Sequence, residues 1–332
     1  MTHTTSPPLP RRRLAGLALA PLAAPGAAAQ QAGGYPDRPV RVVVGFPPGG
    51  ATDSAVRPMQ NRLSALLGQP VVIENRPGAG STLAAELVVR AAPDGHTVLL
   101  GTIGVLAIGR LLNPALAYDA ERDFAPVASV VSVVSVLVVP ADRPWRSVAD
   151  LVAAARARPG ALSWGDSGIG TSGHMAGALL DHLAGLRTVR VPYRGGGPLM
   201  TDLLAGRIDY AFSTAPPAIP HVETGRLRAL AVPHRRRSPA LPEVPTMEEA
   251  GVPGYAVENW YGLVVPAGTP PAAIARLAAA VRATQDDPEV VAAWLRAGLE
   301  PLPGGPEELA RRMREAREQW EPIVRATGAT VN

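Results

Sequence analysis

Residues 163–175 read Ser-Trp-Gly-Asp-Ser-Gly-Ile-Gly-Thr-Ser-Gly-His-Met, and two kinds of chemistry overlap in them. Gly165-Asp166-Ser167-Gly168 matches the nucleophile motif of trypsin-like serine hydrolases. Gly168-Ile169-Gly170-Thr171-Ser172-Gly173 satisfies G-x-G-x-x-G, the dinucleotide-binding fingerprint. A third chemistry needs neither nucleophile nor nucleotide. Glycines before a helix turn backbone N–H groups toward a ligand, and the helix N-terminus adds free donors and partial positive charge. Thr171 and Ser172 add hydroxyls. Such a loop holds an anion, a carboxylate as readily as a phosphate.

A serine hydrolase needs a base and an orienting acid in contact with its serine. The histidines after the N-terminal segment are His96, His174, His182, His221 and His234, and none sits in a recognisable partner motif. For a dinucleotide, the strand after the loop ends Val191-Pro192-Tyr193-Arg194, without the acid that would hold a ribose hydroxyl. Arg194 keeps a 2′-phosphate open, so an exported α/β enzyme, NADP-linked or hydrolytic, is the alternative reading. The anion reading gains from a second loop of the same kind. Phe46-Pro47-Pro48-Gly49-Gly50-Ala51-Thr52-Asp53 also follows a strand-like run and opens a helix-like one. The candidate ligand-binding residues are therefore Phe46, Gly49, Gly50, Ala51, Thr52 and Asp53 in the first loop, and Gly170, Thr171, Ser172 and His174 in the second. Thr102 and Ser213, at strand ends, join them. Asp53 either caps its helix or meets a ligand ammonium group or a bridging water. Asn259 and Trp260 are read as hinge or cleft wall.

The elements that must position these loops follow from periodicity. Residues 40–46 form a β-branched strand, 54–67 carry one apolar helical face, 71–74 and 97–101 are strands, and 81–91 is a helix. The pattern restarts with helices at 147–157, 172–184, 198–205 and 217–224, alternating with strands at 161–164, 188–191, 210–213 and 227–232. This predicts an α/β fold of two lobes, each a mainly parallel sheet flanked by helices. The β-branched run 126–139 and residues 255–259 are read as the crossovers. Pro270, Pro288 and Pro306 are placed to start helices in the C-terminal part. Lobe one is expected at 36–125 plus 260–332 and lobe two at 140–254. Two crossings make a hinge, and the cleft between the lobes is the expected ligand site. Pro58 is expected to kink the first helix.

Composition narrows the function further. The chain has 332 residues, 47% apolar and only 4% aromatic, so its cores are built mainly of Ala, Val and Leu. Arg11-Arg12-Arg13, an apolar run from Leu14 and Ala27-Ala28-Ala29 read as a secretory leader cleaved near Ala29, which places the protein in the periplasm. The formal charge is +4, and removing that leader leaves +1, so a nucleic-acid partner is not expected. There is no cysteine, hence no disulfide and no thiol nucleophile, and no lysine, hence no P-loop lysine or Schiff base. No spacing fits a metal site, and no cofactor is expected.

Several stretches, taken together, resemble the extracytoplasmic solute receptors of tripartite tricarboxylate transporters, the Bug family. They are Gly49-Gly50-Ala51-Thr52-Asp53, Glu74-Asn75-Arg76-Pro77-Gly78-Ala79-Gly80, Pro93-Asp94-Gly95-His96, the loop Gly168 to His174, Val191-Pro192-Tyr193-Arg194-Gly195, Leu241-Pro242-Glu243-Val244-Pro245-Thr246 and Trp260-Tyr261-Gly262-Leu263. The resemblance implies a type II-like periplasmic-binding fold. It also implies a carboxylate, amino acid or related small ligand held by loops of both lobes, largely through backbone amides and water. It adds Tyr193 to the candidates and makes membrane permease subunits or a sensor the expected partners of a monomeric receptor. Ala215-Pro216-Pro217 and Asp166-Ser167 depart from the family's pattern.

Overall fold

The computed structural model describes residues 1–4 and 34–328. The expected leader therefore lies, from Thr5 on, outside the described residues. Its elements follow the alternation of the sequence. They begin with β1 (Val40–Val44), α1 (Ala51–Val56), α2 (Gln60–Leu67), β2 (Val71–Asn75), α3 (Thr82–Val89) and β3 (Thr97–Thr102). A π-helical turn, Gly104–Ile108, leads into α4 (Gly109–Leu112), α5 (Ala120–Asp123), β4 (Phe124–Val133) and β5 (Ser135–Pro140). Next come α6 (Val148–Ala157), β6 (Ser163–Asp166), α7 (Ser172–Ala184), β7 (Val189–Pro192), α8 (Gly196–Leu204), β8 (Tyr210–Thr214), α9 (Ala215–Glu223) and β9 (Leu227–Ala231). The chain ends with β10 (Trp260–Pro266), α10 (Pro271–Gln285), α11 (Pro288–Arg296), β11 (Leu299–Pro301) and α12 (Pro306–Thr327). Among the described residues no helix is long and apolar enough to cross a membrane.

Two sheets result. One has the order β11-β4-β10-β3-β1-β2, the other β7-β6-β8-β5-β9. Each has a parallel core of three strands, β3-β1-β2 and β7-β6-β8, which the βαβ connections require. Antiparallel strands extend both cores: β10, β4 and β11 in the first, β5 and β9 in the second. Helices pack on both sheets; α10 and α12 lie against β4, and α7 against β6 and β8.

The run 126–139 is two strands, one in each sheet, and the passage between them falls at Val134. The Val134 amide donates to Gly298 beside the first sheet, while its carbonyl accepts from Ala215 beside the second. The second passage runs alongside, since Val133 donates to the Asn259 carbonyl at 2.8 Å. Residues from 260 on do not continue that passage. Trp260–Pro266 is an inner strand between β3 and β4, buried along its whole length.

Proline acts as expected at several points. Pro271, Pro288 and Pro306 occupy first helical positions, where the missing N–H costs nothing, and Pro270 caps α10. Pro58 breaks the expected 54–67 helix into α1 and α2, because it cannot donate to the residue-54 carbonyl.

Candidate functional site

The first loop leaves β1 at Val44 and enters α1 at Ala51. Asp53 holds it in shape. Its Oδ2 accepts from the Gly49 amide at 2.9 Å and from Arg57 Nε at 2.7 Å, and its Oδ1 accepts from Asn75 Nδ2 at 3.0 Å. Asn75 also donates to the Phe46 carbonyl. Burial works to raise the Asp53 pKa, but the hydrogen bonds from Arg57, Asn75 and Gly49 outweigh it and hold the carboxyl below its ordinary value. Asp53 thus does not cap α1, whose N-cap is Gly50, and its side chain bonds within the loop. It is the internal staple of the loop.

The second loop leaves β6 at Asp166 and enters α7 at Ser172. Asp166 is fully buried; it accepts from the Gly168 amide at 2.8 Å and takes two bonds from Arg190, the shorter 2.6 Å. Thr171 caps α7, its hydroxyl accepting from the His174 amide and donating to the Gly168 carbonyl. His174 turns inward, its Nδ1 accepting from the Gly170 amide at 3.2 Å. Burial first, and Arg190 second, lower its pKa to about 3, so the ring is neutral with its proton on Nε2. Neutral His174 is engaged within the loop and Asp166 with Arg190, and neither is hydrogen-bonded to Ser167 as a hydrolase's base or acid would be.

Between the two loops lies a cavity of about 120 Å³. The side of the first sheet contributes Phe46, Pro47, Pro48, Gly50, Ala51, Thr52, Thr102, Ile103, Asn259 and Tyr261. The other side contributes Ser167, Thr171, Ser172, Gly196, Gly197, Pro198 and Thr214. No residue of this wall carries a charge. Two of its hydroxyls, Thr52 Oγ1 and Thr102 Oγ1, are buried without a hydrogen-bond partner in the protein, and the Asn259 amide beside them has only the Tyr261 hydroxyl. Buried polar groups are almost always paired, so two orphaned hydroxyls at one cavity mark where a polar guest or water belongs. The first intrahelical bonds of α1 and α7 start at Ser54 and Met175, which leaves the Ala51, Thr52 and Ser172 amides, of residues lining the cavity, free of helical partners.

The structure therefore gathers Phe46, Gly50, Ala51, Thr52, Thr102, Thr171 and Ser172 around one cavity. Gly49, Asp53, Gly170 and His174 instead shape the loops from behind. Ser213 bonds to the neighbouring Thr214 carbonyl, and Thr214 is the β8 residue that reaches the wall. Tyr193 donates to Asp202 and lines an adjoining groove of about 650 Å³ along Pro77–Gly80 and Pro192–Arg194, which shares Phe46, Pro47 and Ser167 with the cavity. Sequence reasoning placed Asn259 at a hinge or cleft wall without naming it a ligand contact. It missed Ile103, Tyr261 and the Gly196-Gly197-Pro198 start of α8; two glycines at a helix start were the only signal for the last. Among the described residues no group of His, Asp or Glu gathers as a metal site.

Comparison with known proteins agrees with this architecture. The sequence profile of the tripartite tricarboxylate transporter family receptor matches residues 55–329. A curated protein of the tcbD-tcbE intergenic region of Pseudomonas sp. (strain P51) is 41% identical over 315 residues, covering 95% of this chain and 93% of its own. The R. palustris protein Rpa4515, solved with adipate, superposes with a TM-score of 0.85 at 36% identity, over 89% of this chain and 98% of that one. The periplasmic binding protein BugD superposes with a TM-score of 0.85 at 31% identity, over 89% of this chain and 99% of that one.

Proposed function

The chain belongs to the tripartite tricarboxylate transporter receptor family, a family of periplasmic solute-binding receptors, and we propose that it captures a small organic carboxylate in the cavity between its two lobes. The observation that carries this is the pair of buried, unpartnered hydroxyls, Thr52 Oγ1 and Thr102 Oγ1, beside the Asn259 amide on a wall without charge. Neutral donors of this kind recognise a carboxylate without a salt bridge, and they do so best when closure removes competing water. Adipate bound to a relative at 36% identity supports the same ligand class.

In this reading Thr52, Thr102 and Asn259 donate from lobe one, while Ser172 and the free amides at the start of α7 donate from lobe two. Phe46, Pro47, Pro48, Ile103 and Pro198 enclose the carbon skeleton. Asp53, Asn75, Asp166 and His174 touch no ligand and hold the loops in place. Val134 and residues 255–259 form the hinge. The exported receptor, freed of its leader near Ala29, passes its ligand as a monomer to membrane permease subunits.

Thr52→Val and Thr102→Val test the site, because each removes a hydroxyl without changing the side chain's shape. The unliganded variants should melt at or above the wild-type temperature, since each loses an unpaired buried group. Affinity for the bound carboxylate, measured by calorimetry, should fall about fivefold per hydroxyl, the value of roughly 1 kcal/mol for one hydrogen bond. Unchanged affinity in both variants would remove the cavity from consideration.

A further inference from the structure

The two lobes meet backbone to backbone at two places beside the cavity. A Cβ at Gly80 would stand 2.1 Å from the Ile169 carbonyl oxygen, and a Cβ at Gly104 would stand 2.5 Å from the Gly170 carbonyl oxygen. Gly80 and Gly104 follow strands of the six-stranded sheet, while Ile169 and Gly170 follow β6 of the other. Real Cβ atoms essentially never lie within 3.0 Å of such an atom, so both contacts depend on the missing side chain.

The two glycines differ in a way that isolates the cause. Gly80 has φ +62°, so any side chain there is strained whether or not the lobes touch. Gly104 has no positive φ and opens the π-helical turn Gly104–Ile108. Alanine fits that backbone and is the better helix former. The two atoms nearest a Cβ at Gly104 belong to Gly170 of the opposite lobe, at 2.5 and 3.2 Å, while Thr102 Oγ1 of its own lobe comes third at an ordinary 3.5 Å. The close obstruction comes from the opposite lobe. That lobe cannot easily give way, because His174 holds the Gly170 amide and Asp166 holds the Gly168 amide.

We propose that Gly104 is a closure-permitting position: its lack of a side chain lets lobe one seat against the Gly170 carbonyl, and ligand affinity depends on it although it does not line the cavity. The proposal rests on the receptor reading above, but its test does not need the ligand to be known. The chain has no cysteine, so Val72→Cys and Val189→Cys, on exposed positions of β2 and β7, accept spin labels at one site in each lobe. Pulsed electron spin resonance then reads the interlobe distance, with and without saturating adipate, in this background and with Gly104→Ala added. The expected result is a short-distance population matching the present structure that falls at least about tenfold in Gly104→Ala, with a melting temperature equal to or above that of the parent. An equal short-distance population in both proteins would overturn the proposal. So would its absence from the parent in every condition, or a Gly104→Ala protein that fails to fold, since glycine would then serve the fold and not closure. A short-distance population lost in Gly104→Ala together with no response to adipate would uphold Gly104 and count against adipate as ligand.

Discussion

Asp53, Asp166 and His174 bond within the two loops and shape them, and the cavity wall is left neutral. His174 makes this testable. Its folded-state pKa of about 3 lies below the roughly 6.5 of a solvated imidazole, so between those values the unfolded chain binds the proton that the folded chain refuses. The stability from keeping His174 neutral is fully present above pH 6.5 and is lost as pH falls toward 3. From pH 7 to pH 5 the loss from this one group should be about 2 kcal/mol. In His174→Gln, whose Oε1 can still accept the Gly170 amide, urea unfolding at the two pH values should show a drop smaller by that amount. An equal drop in both proteins would mean that His174 takes up a proton in the folded state. The direction of this ring was not legible from sequence, since a histidine near a helix start points to ligand or to loop according to tertiary packing alone.

Between elements, Asp166 does the corresponding work, tying the end of β6 to Arg190 of β7 and to the turn that starts the second loop. Breaking a buried pair strands its partner's charge. Asp166→Asn should therefore lower stability by about 3 kcal/mol in thermal melts, although the asparagine can still accept the Gly168 amide. A melting temperature unchanged from wild type would show that Arg190 finds water as good a partner. The two strand–loop–helix units that carry the site were legible because β-branched runs gave way to glycine and proline, and helical spacing followed. Two strands were less so. The passage at Val134 sits inside a continuous apolar run with no turn residue, so only hydrogen bonds mark where one sheet ends and the other begins. Trp260–Pro266 is buried on both faces and lacks the alternation that identifies a half-exposed strand. Asn259 and Thr214 reach the cavity wall only because that passage and β8 converge there, which no local pattern records.

For the whole molecule, the separation of roles explains how a receptor of this kind can be both weakly charged and specific. In the proposed reading, rigid loops present neutral donors, apolar walls select the skeleton, and closure excludes water. A ligand shifts the lobes only by the extra contacts it gains when they are closed. On the proposal above, affinity lies partly in the ligand's contacts and partly in how closely Gly104 lets the lobes approach.

The most direct measurement is a calorimetric titration of the purified receptor with adipate, shorter dicarboxylates, monocarboxylates, amino acids and NADPH. The account predicts saturable, one-site binding by a carboxylate, weakened in Thr52→Val and Thr102→Val, with no heat from NADPH. Binding of NADPH alone, or carboxylate binding that both substitutions leave untouched, would contradict it.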